Sequence, residues 1–232
     1  RPILAPMSQI AGRIAVQVGS HLLHQPLQGK GILLGGLSFA KSDIETDKGH
    51  VVVLGAGIAG QQSAELALSI GADVTLMDIN QQRLAELKEI HPRLIIVLAD
   101  QLTIAKAVKT ADLLIGAVLI PDKHAAKLVT ADMVKTMEKG SVVVDIAIDQ
   151  GGCIETIKAT TYAEPTYFEH GVLHFGVTNM PGAVPKTASQ ALSAAILPWV
   201  ERLCVDEWRE DVALAGAVNV EGGKVIHPAL LA

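Results

Sequence analysis

The chain has 232 residues, half of them hydrophobic and 19% charged, which predicts a sizeable core and excludes intrinsic disorder. Its formal net charge of −5, without a cluster of basic residues, argues against nucleic acid as a partner. No apolar run approaches the roughly 18 residues needed to cross a bilayer, so a membrane is not predicted as a partner either.

The cysteine and histidine content argues against a disulfide framework and against a metal site. The sequence has two cysteines, Cys153 and Cys204, and eight scattered histidines, without the spacing of metal ligands. We therefore predict reduced thiols, a cytoplasmic location and no bound metal.

The first predicted element is a helix over Ser8–Leu23, because apolar residues recur there at helical spacing and Ser8 is a suitable N-cap. The segment that follows, Gln25–His50, is rich in Gly, Lys, Ser and Asp, and is predicted to be a connector. Because the chain opens at Arg1 in what reads as mid-protein sequence, we also expect an N-terminal part to precede it.

The next segment has the residue pattern of a dinucleotide-binding β-α-β unit. Val51–Leu54 is apolar and β-branched, as expected of a strand buried on both faces. A G-x-G-x-x-G motif, a helical stretch and a second apolar run, Val74–Met77, follow in order. The glycines that serve the tight turn, the approach to a pyrophosphate and helix–strand packing are Gly55, Gly57 and Gly60. The N-terminus of the helix supplies free N–H groups to the phosphates.

Asp78, at the end of the second apolar run, indicates which nucleotide binds. A carboxylate there accepts hydrogen bonds from a ribose 2′-OH and repels a 2′-phosphate, so NAD(H) is predicted rather than NADP(H). Arg83, one turn into the next helix, either shields such a phosphate or is solvated. The alternative for the whole motif is a tight glycine turn that binds no ligand.

Beyond Asp78, predicted strands and helices alternate. The strands are Leu94–Leu98, Asp112–Val118, Ser141–Ile146 and Val172–Val177, and the helices are Gln81–Glu89, Ile104–Lys109 and Ala131–Met137. A long loop, Asp149–Phe168, precedes the last strand. This alternation predicts an α/β fold with a doubly wound parallel sheet of the Rossmann type.

In such a sheet, functional residues lie in the loops at the carboxyl ends of the strands. In this chain those positions are Gly55–Gly60, Asp78, Ala99, Val118, Leu119, Ile146, Ala147, Ile148, Asp149 and Val177–Met180. We predict that they converge on one crevice.

From Lys186 onward the pattern changes. Lys186–Leu203 is predicted to be helical, with Pro198 kinking the helix or starting a new one. The tail to Ala232 is predicted to be irregular surface structure.

Four segments, together with the glycine motif, resemble the L-alanine dehydrogenase family. They are PMSQIAGRIAVQVG at 6–19, IGAVLIP at 115–121, VVDIAIDQGGCIET at 143–156 and NMPGAVPKT at 179–187. The resemblance spans nearly the whole chain. A more distant resemblance is to the NAD-binding subunit of proton-translocating transhydrogenase, which shares the fold and a similar NMP segment.

The resemblance implies NAD-dependent, reversible oxidative deamination of L-alanine to pyruvate and ammonia. It also implies a Rossmann domain, residues 8–185, inserted into a substrate domain of which residues 1–7 and 186–232 are remnants. The flanking helices then belong to a second, largely missing domain, which in the family carries the Lys, Arg and His groups that bind substrate. A homo-oligomer, by resemblance a hexamer, is implied as well.

The resemblance further assigns site residues. Asp149 matches the family's active-site aspartate beside the nicotinamide, where a carboxylate takes part in proton transfer or orients water and ammonia. The alternative for Asp149 is a turn aspartate that caps the following loop. We expect Asp145 to bind backbone groups or a side chain of opposite charge, and Cys153 to be a packed thiol. The positions that match the family's nucleotide contacts are Ser8, Ile58, Asp78, Arg83, Ala99, Val118, Leu119, Ile146, Lys158, Val177, Thr178, Asn179 and Met180.

Two other functions stay open from the sequence. One is an NAD(H)-binding module of a proton-translocating transhydrogenase, in which occupancy by NAD drives an interface. The other is a catalytically silent fragment that binds NAD.

Overall fold

The computed structural model describes residues 2–38, 46–118 and 127–231. The chain divides into two compact units. The larger unit is Met7–Pro185, and the smaller unit combines Arg1–Pro6 with Lys186–Ala232.

The larger unit is built on a seven-stranded sheet. Its strands are β1 (His50–Leu54), β2 (Asp73–Asp78), β3 (Ile95–Leu98), β4 (Leu113–Gly116), β5 (Val142–Asp145), β6 (Thr166–Glu169) and β7 (Val172–Phe175). They lie in the order β3-β2-β1-β4-β5-β7-β6. Neighbouring strands are parallel except at the edge, where β6 pairs antiparallel with β7. The predicted α/β fold with a parallel Rossmann-type sheet is confirmed.

In the larger unit, helices connect and cover these strands: α1 (Ala5–Leu22), α2 (Ile58–Ser69), α3 (Gln81–Ile90), α4 (Gln101–Thr110) and α5 (Ala131–Val134). The helices that follow are α6 (Pro185–Leu203) and α7 (Val212–Ala215), which from Lys186 onward belong to the smaller unit. Polar side chains cap several of them: Asn80 accepts a hydrogen bond from the Arg83 N–H at the start of α3, and Asp100 forms a capping box with Thr103 in α4.

The core has two layers, one on each face of the sheet. On β1, Val51 and Val53 face a cluster that includes buried residues of α1, α2 and α3. The intervening residues, Val52 and Leu54, face a second cluster with buried residues of α4 and α5. This alternation follows from the two-residue period of a strand, and burial on both faces explains why the strands are continuous apolar runs.

The chain reverses direction across the sheet after β3. Strands β1 to β3 build outward on one side, and α4 then leads back to β4, which pairs with the other side of β1. The carboxyl ends of β1 and β4 therefore flank a topological switch point, where open α/β sheets bind ligands.

Several predicted boundaries were wrong. Helix α4 begins at Gln101 rather than at Ile104, and α5 ends at Val134 rather than at Met137. The first helix begins at Ala5 rather than at Ser8. The predicted loop Asp149–Phe168 contains the start of β6. Three residues of that edge strand are half-buried and Phe168 is exposed, so it lacks the continuous apolar run by which the other strands were recognised.

The predictions for the C-terminal part were also partly wrong. Helix α6 runs through Pro198 to Leu203, so this proline neither ends the helix nor starts another. The tail is not irregular, because it contains α7 and a hairpin of β8 (Val220–Glu221) and β9 (Lys224–Val225). Asp211 caps α7 by accepting hydrogen bonds from the N–H groups of Ala213 and Leu214.

Candidate functional site

The first part of the site is the turn from β1 into α2. Gly55 has φ +100°, in the left-handed region that favours glycine. A Cβ at Gly55 would lie 2.7 Å from the carbonyl oxygen of Ala117, which follows β4. The loops after β1 and β4 thus touch at the switch point, and only a residue without a side chain fits between them.

The other two glycines of the motif have different surroundings. A Cβ at Gly60 would lie 1.8 Å from the Gly55 carbonyl oxygen, so helix and strand pack too closely for a side chain. At Gly57, the N-cap of α2, a Cβ would meet no atom of the described chain within 4 Å. Packing therefore explains Gly60 but not Gly57, whose open surface beside the free N–H groups of the first helical turn fits a phosphate.

Helix α1 brings Ser8 to the same edge of the sheet. A Cβ at Gly12 would lie 2.2 Å from the carbonyl oxygen of Ala59, in the first turn of α2, and Ser63 donates a hydrogen bond to the Gly12 carbonyl (2.8 Å). Gly19 packs on Leu113 at the start of β4. The helix therefore runs from the carboxyl edge to the amino edge, with Ser8 one turn before Gly12.

Asp78 ends β2 and holds the glycine turn. Its Oδ2 accepts a hydrogen bond from the Ala56 N–H (2.6 Å), and its Oδ1 accepts one from the Asn80 N–H (2.8 Å). Each carboxylate oxygen has a second lone pair, so the group retains acceptor capacity for a ribose hydroxyl. The carboxylate thus lies against the turn that carries Gly55 and Gly57.

Arg83 is not simply solvated, which corrects one of the two predicted environments. Its guanidinium donates hydrogen bonds to the Ala56 carbonyl (3.3 Å) and to Gln61 Oε1 (2.5 Å), and it pairs with Glu86 (3.4 Å). The cation therefore lies over the glycine turn, on the α3 side of Asp78.

Further loops continue this edge along the sheet. The Ala99 N–H, after β3, donates to the Asp78 carbonyl (2.9 Å), and the Ala117 N–H, after β4, donates to the Leu54 carbonyl (2.8 Å). Val118 is half-buried directly after Ala117. Leu119, predicted as a nucleotide contact, lies outside the described residues.

A buried carboxylate organises the loop after β5. Asp145 is fully buried and accepts hydrogen bonds from the N–H groups of Ala147 (2.9 Å), Cys153 (2.8 Å) and Ile154 (3.1 Å). Burial raises the pKa of Asp145 to about 6, against the opposing effect of these hydrogen bonds. Burial likewise raises the pKa of the Cys153 thiol, which keeps it protonated and unsuited to act as a nucleophile. The expected roles of both side chains are confirmed.

Asp149 lies in that loop, and its carboxylate is exposed. Its Oδ1 accepts a hydrogen bond from the Asn179 N–H (3.2 Å), in the loop after β7. Asn179 has φ +52°, a left-handed conformation that asparagine tolerates better than most residues. Two segments thirty residues apart are thus joined at the carboxyl ends of β5 and β7.

The neighbours of Asp149 and Asn179 differ in exposure. The buried ones are Ala147, Ile148, Val177 and Met180. Ile146 is half-buried and Thr178 is exposed, while Ile58 in the first turn of α2 is 44% exposed. The surface presented along this edge is therefore formed by the glycine turn, Ile58, Thr178 and the two polar residues.

The structure does not bring Lys158 to this cluster. Its ammonium lies 5.3 Å from the centroid of the Tyr167 ring and 3.5 Å from Glu169. Glu169 pairs with Val172, the first residue of β7, so the side chain extends toward the amino end of that strand.

Sequence reasoning missed one residue at the site, Lys127. Its ammonium donates to the carbonyl oxygens of Gly151 (2.6 Å), Gly152 (3.0 Å) and Ile154 (3.1 Å), in the loop that carries Asp149. These partners lie 24 to 27 residues away in sequence, so no local pattern signals the contact.

The described residues show no sign of two other kinds of site. Across residues 2–38, 46–118 and 127–231, no group of three or more His, Cys, Asp or Glu is placed to hold a metal ion. In the same ranges no helix combines the length and the hydropathy needed to cross a membrane.

The chain matches known proteins over most of its length. The family described as "Alanine dehydrogenase/PNT, C-terminal domain" matches residues 15–228. An alanine dehydrogenase of Staphylococcus haemolyticus (strain JCSC1435) is 48% identical over 97% of this chain and 61% of its own length. The chain thus spans about three fifths of that relative.

Solved structures agree with the sequence comparison. An L-alanine dehydrogenase superposes with a TM-score of 0.92 at 45% identity, over 99% of this chain and 63% of that protein. A transhydrogenase from Sinorhizobium meliloti superposes with a TM-score of 0.80 at 26% identity, over 98% of this chain and 61% of that protein. The family implies a nicotinamide cofactor, which the open Gly57 surface and the adjoining carboxylate fit. The chain belongs to the alanine dehydrogenase/PNT C-terminal domain family.

Proposed function

We propose that this chain is the NAD(H)-binding part of a cytoplasmic alanine dehydrogenase, which converts L-alanine reversibly to pyruvate and ammonia. One observation carries the proposal. The hydrogen bond between Asp149 and Asn179 lies at the same edge of the sheet as the open surface of Gly57. The names of the relatives support the substrate, and the higher identity and TM-score of the alanine dehydrogenase structure favour it over a transhydrogenase module.

In this proposal residues 8–185 form the cofactor-binding domain, and residues 1–7 and 186–232 belong to the substrate domain. The first turn of α2 binds the pyrophosphate through its N–H groups, and Asp78 binds a ribose hydroxyl. Because the carboxylate repels a 2′-phosphate, NAD(H) is preferred over NADP(H). Ser8, Ala99 and Val118 line the same edge.

A bound nicotinamide would supply hydride transfer to and from the α-carbon of the substrate. Asp149 is the proposed catalytic residue, and its exposed carboxylate exchanges a proton with the substrate nitrogen or with water. The Asn179 N–H donates to Oδ1, and the proposed step uses Oδ2. Assembly into a homo-oligomer, a hexamer in this proposal, rests on the family resemblance.

Cofactor binding is tested by titrating the chain with NADH and with NADPH, following nucleotide fluorescence. We expect saturable NADH binding and at least tenfold weaker NADPH binding, equivalent to about 1.4 kcal/mol. Equal affinity for the two would contradict the assignment of Asp78.

Catalysis is tested in the chain extended at its N-terminus with the corresponding segment of the Staphylococcus haemolyticus relative. We expect this protein to reduce NAD⁺ with L-alanine and to lose the activity when Asp149→Asn is introduced. Activity with another amino acid but not with alanine would overturn the substrate. NADH binding without turnover by any amino acid would indicate a silent binder.

A further inference from the structure

The loop that carries Asp149 is held from two sides by opposite charges. On one side the Asp145 carboxylate accepts three backbone N–H groups of the loop. On the other side the Lys127 ammonium donates to three backbone carbonyls, those of Gly151, Gly152 and Ile154, at 2.6–3.1 Å. An ammonium has three N–H donors, so these contacts engage all of them and fix where the lysine lies.

The loop needs such support because its two consecutive glycines can adopt many backbone conformations. Gly151 and Gly152 have φ +90° and +73°, a conformation that glycine adopts readily but does not prefer over others. A Cβ at Gly152 would lie 2.7 Å from Asp145 Oδ2, so glycine is needed for the carboxylate to reach the loop. The conformation of the loop is therefore set by its charged partners.

The two partners differ in what they contribute to folding. Asp145 is fully buried, and its loss would leave buried N–H groups unpaired. Lys127 is exposed, and exposed charges contribute little to the free energy of unfolding. A substitution at Lys127 therefore tests the placement of the loop with little effect on stability.

We propose that Lys127 is a positioning residue, which together with Asp145 sets the position of the Asp149 carboxylate against the nicotinamide ring. The inference rests on the proposed function, because it takes Asp149 to lie beside that ring. Lys127 stands between β4 and β5 in the chain and contacts the loop after β5.

The test uses the ratio of the dissociation constants for NAD⁺ and NADH. A carboxylate beside the ring favours the positively charged oxidised form over the neutral reduced form. Removing or displacing that charge weakens NAD⁺ binding and leaves NADH binding nearly unchanged, a selective change that a general loss of structure would not produce. NADH is titrated by fluorescence, and NAD⁺ by displacement of NADH.

Four variants of the chain are compared with the wild type. Lys127→Met keeps the length of the side chain without its charge, and Lys127→Arg restores donors to the carbonyls. Lys135→Met is the matched control, since Lys135 is exposed and its ammonium pairs with Asp132 (2.7 Å). Asp149→Asn shows the full effect of losing the carboxylate.

We expect Asp149→Asn to raise the NAD⁺/NADH ratio of dissociation constants by roughly threefold or more, as a single nearby charge in a partly exposed site would. Lys127→Met should shift it in the same direction by at least half as much, Lys127→Arg should return it toward wild type, and Lys135→Met should not change it. A wild-type ratio in Lys127→Met beside a shifted ratio in Asp149→Asn would overturn the positioning role alone. An unchanged ratio in Asp149→Asn would overturn the placement of Asp149, and the role of Lys127 with it.

Discussion

The two edges of the parallel sheet use charge in different ways. At the amino edge, the Lys30 ammonium pairs with Asp112 and with Glu138 (2.6 Å), and Asp112 also accepts the His50 N–H (2.7 Å). At the carboxyl edge, the Asp78 and Asp149 carboxylates accept backbone N–H groups of the loops around them. The two edges are formed by opposite ends of the same strands, and they carry different side chains.

At the amino edge, the charged side chains pair with one another. Burial alone lowers the pKa of Lys30, but its hydrogen bonds to Asp112 and Glu138 outweigh burial and raise the pKa above the usual value. Charges that neutralise one another stabilise the fold and attract little else. The carboxylates of the other edge orient their loops while keeping acceptor capacity, which suits them to a ligand.

The largest effect is expected at the carboxyl edge, where substitutions at two glycines distinguish a role in packing from a role in binding the nucleotide. Gly60→Ala places a Cβ 1.8 Å from a backbone oxygen and should lower the free energy of unfolding by about 3 kcal/mol. Gly57→Ala meets no atom of the described chain, so stability should hardly change while NADH affinity falls at least tenfold, about 1.4 kcal/mol. Urea unfolding and NADH titration measure both. Unchanged NADH binding in Gly57→Ala would mean that its open surface is not used.

A substitution at the amino edge should give the opposite result. Lys30→Met leaves Asp112 and Glu138 without their cation, and we expect the free energy of unfolding to fall by about 2 kcal/mol, because the pair is partly buried. NADH affinity, measured on the folded variant, should stay within about twofold of wild type. A large loss of NADH binding by Lys30→Met with normal stability would contradict the distinction between the two edges.

The next largest effect concerns nucleotide choice. Asp78→Asn removes the negative charge at the end of β2 and retains the shape of the side chain. We expect NADH to bind more weakly and NADPH more tightly, so that the ratio of their dissociation constants moves about tenfold toward NADPH. Fluorescence titrations with both nucleotides measure the ratio. If Arg83 alone determined nucleotide choice, the ratio would remain at its wild-type value.

The smallest effect, taken over one pH unit, is a pH dependence from Asp145. Its folded pKa of about 6 lies above the ordinary 3.8, so the folded state binds a proton more tightly than the unfolded state between these values. The contribution of Asp145 to the free energy of unfolding should therefore increase as the pH falls from 6 toward 4, by about 1 kcal/mol per pH unit at most. Carboxyl NMR of aspartate-labelled protein, assigned with Asp145→Asn, should show a midpoint near 6. A midpoint near 4 would contradict the predicted effect of burial.

Much of this fold was predictable from the sequence, because buried parallel strands are continuous apolar runs and the glycine motif stands between the first two of these runs. Strand β6 was missed since an edge strand is half solvated and carries no such run. The new helix predicted as one alternative at Pro198 was wrong, because α6 continues through this residue to Leu203.

The site was less predictable than the fold. Asp149 and Asn179 both stand in segments that resemble the family, but the hydrogen bond between them depends on β5 and β7 being neighbours in the sheet. Lys127 carries no signal in sequence, because its partners are backbone carbonyls rather than complementary side chains. Lys158 matches a nucleotide-contacting position by resemblance, yet its side chain pairs with Glu169.

Binding of the cofactor at the carboxyl edge is tested by mapping the amide NMR shifts of this chain during an NADH titration. We expect the largest shifts at Ile58, Ala99 and Val118 and in the loops of Asp149 and Asn179. Lys30, His50 and Asp112 at the amino edge should not move. Shifts concentrated at the amino edge, or saturation with NADH without shifts at the glycine turn, would contradict binding at the carboxyl edge.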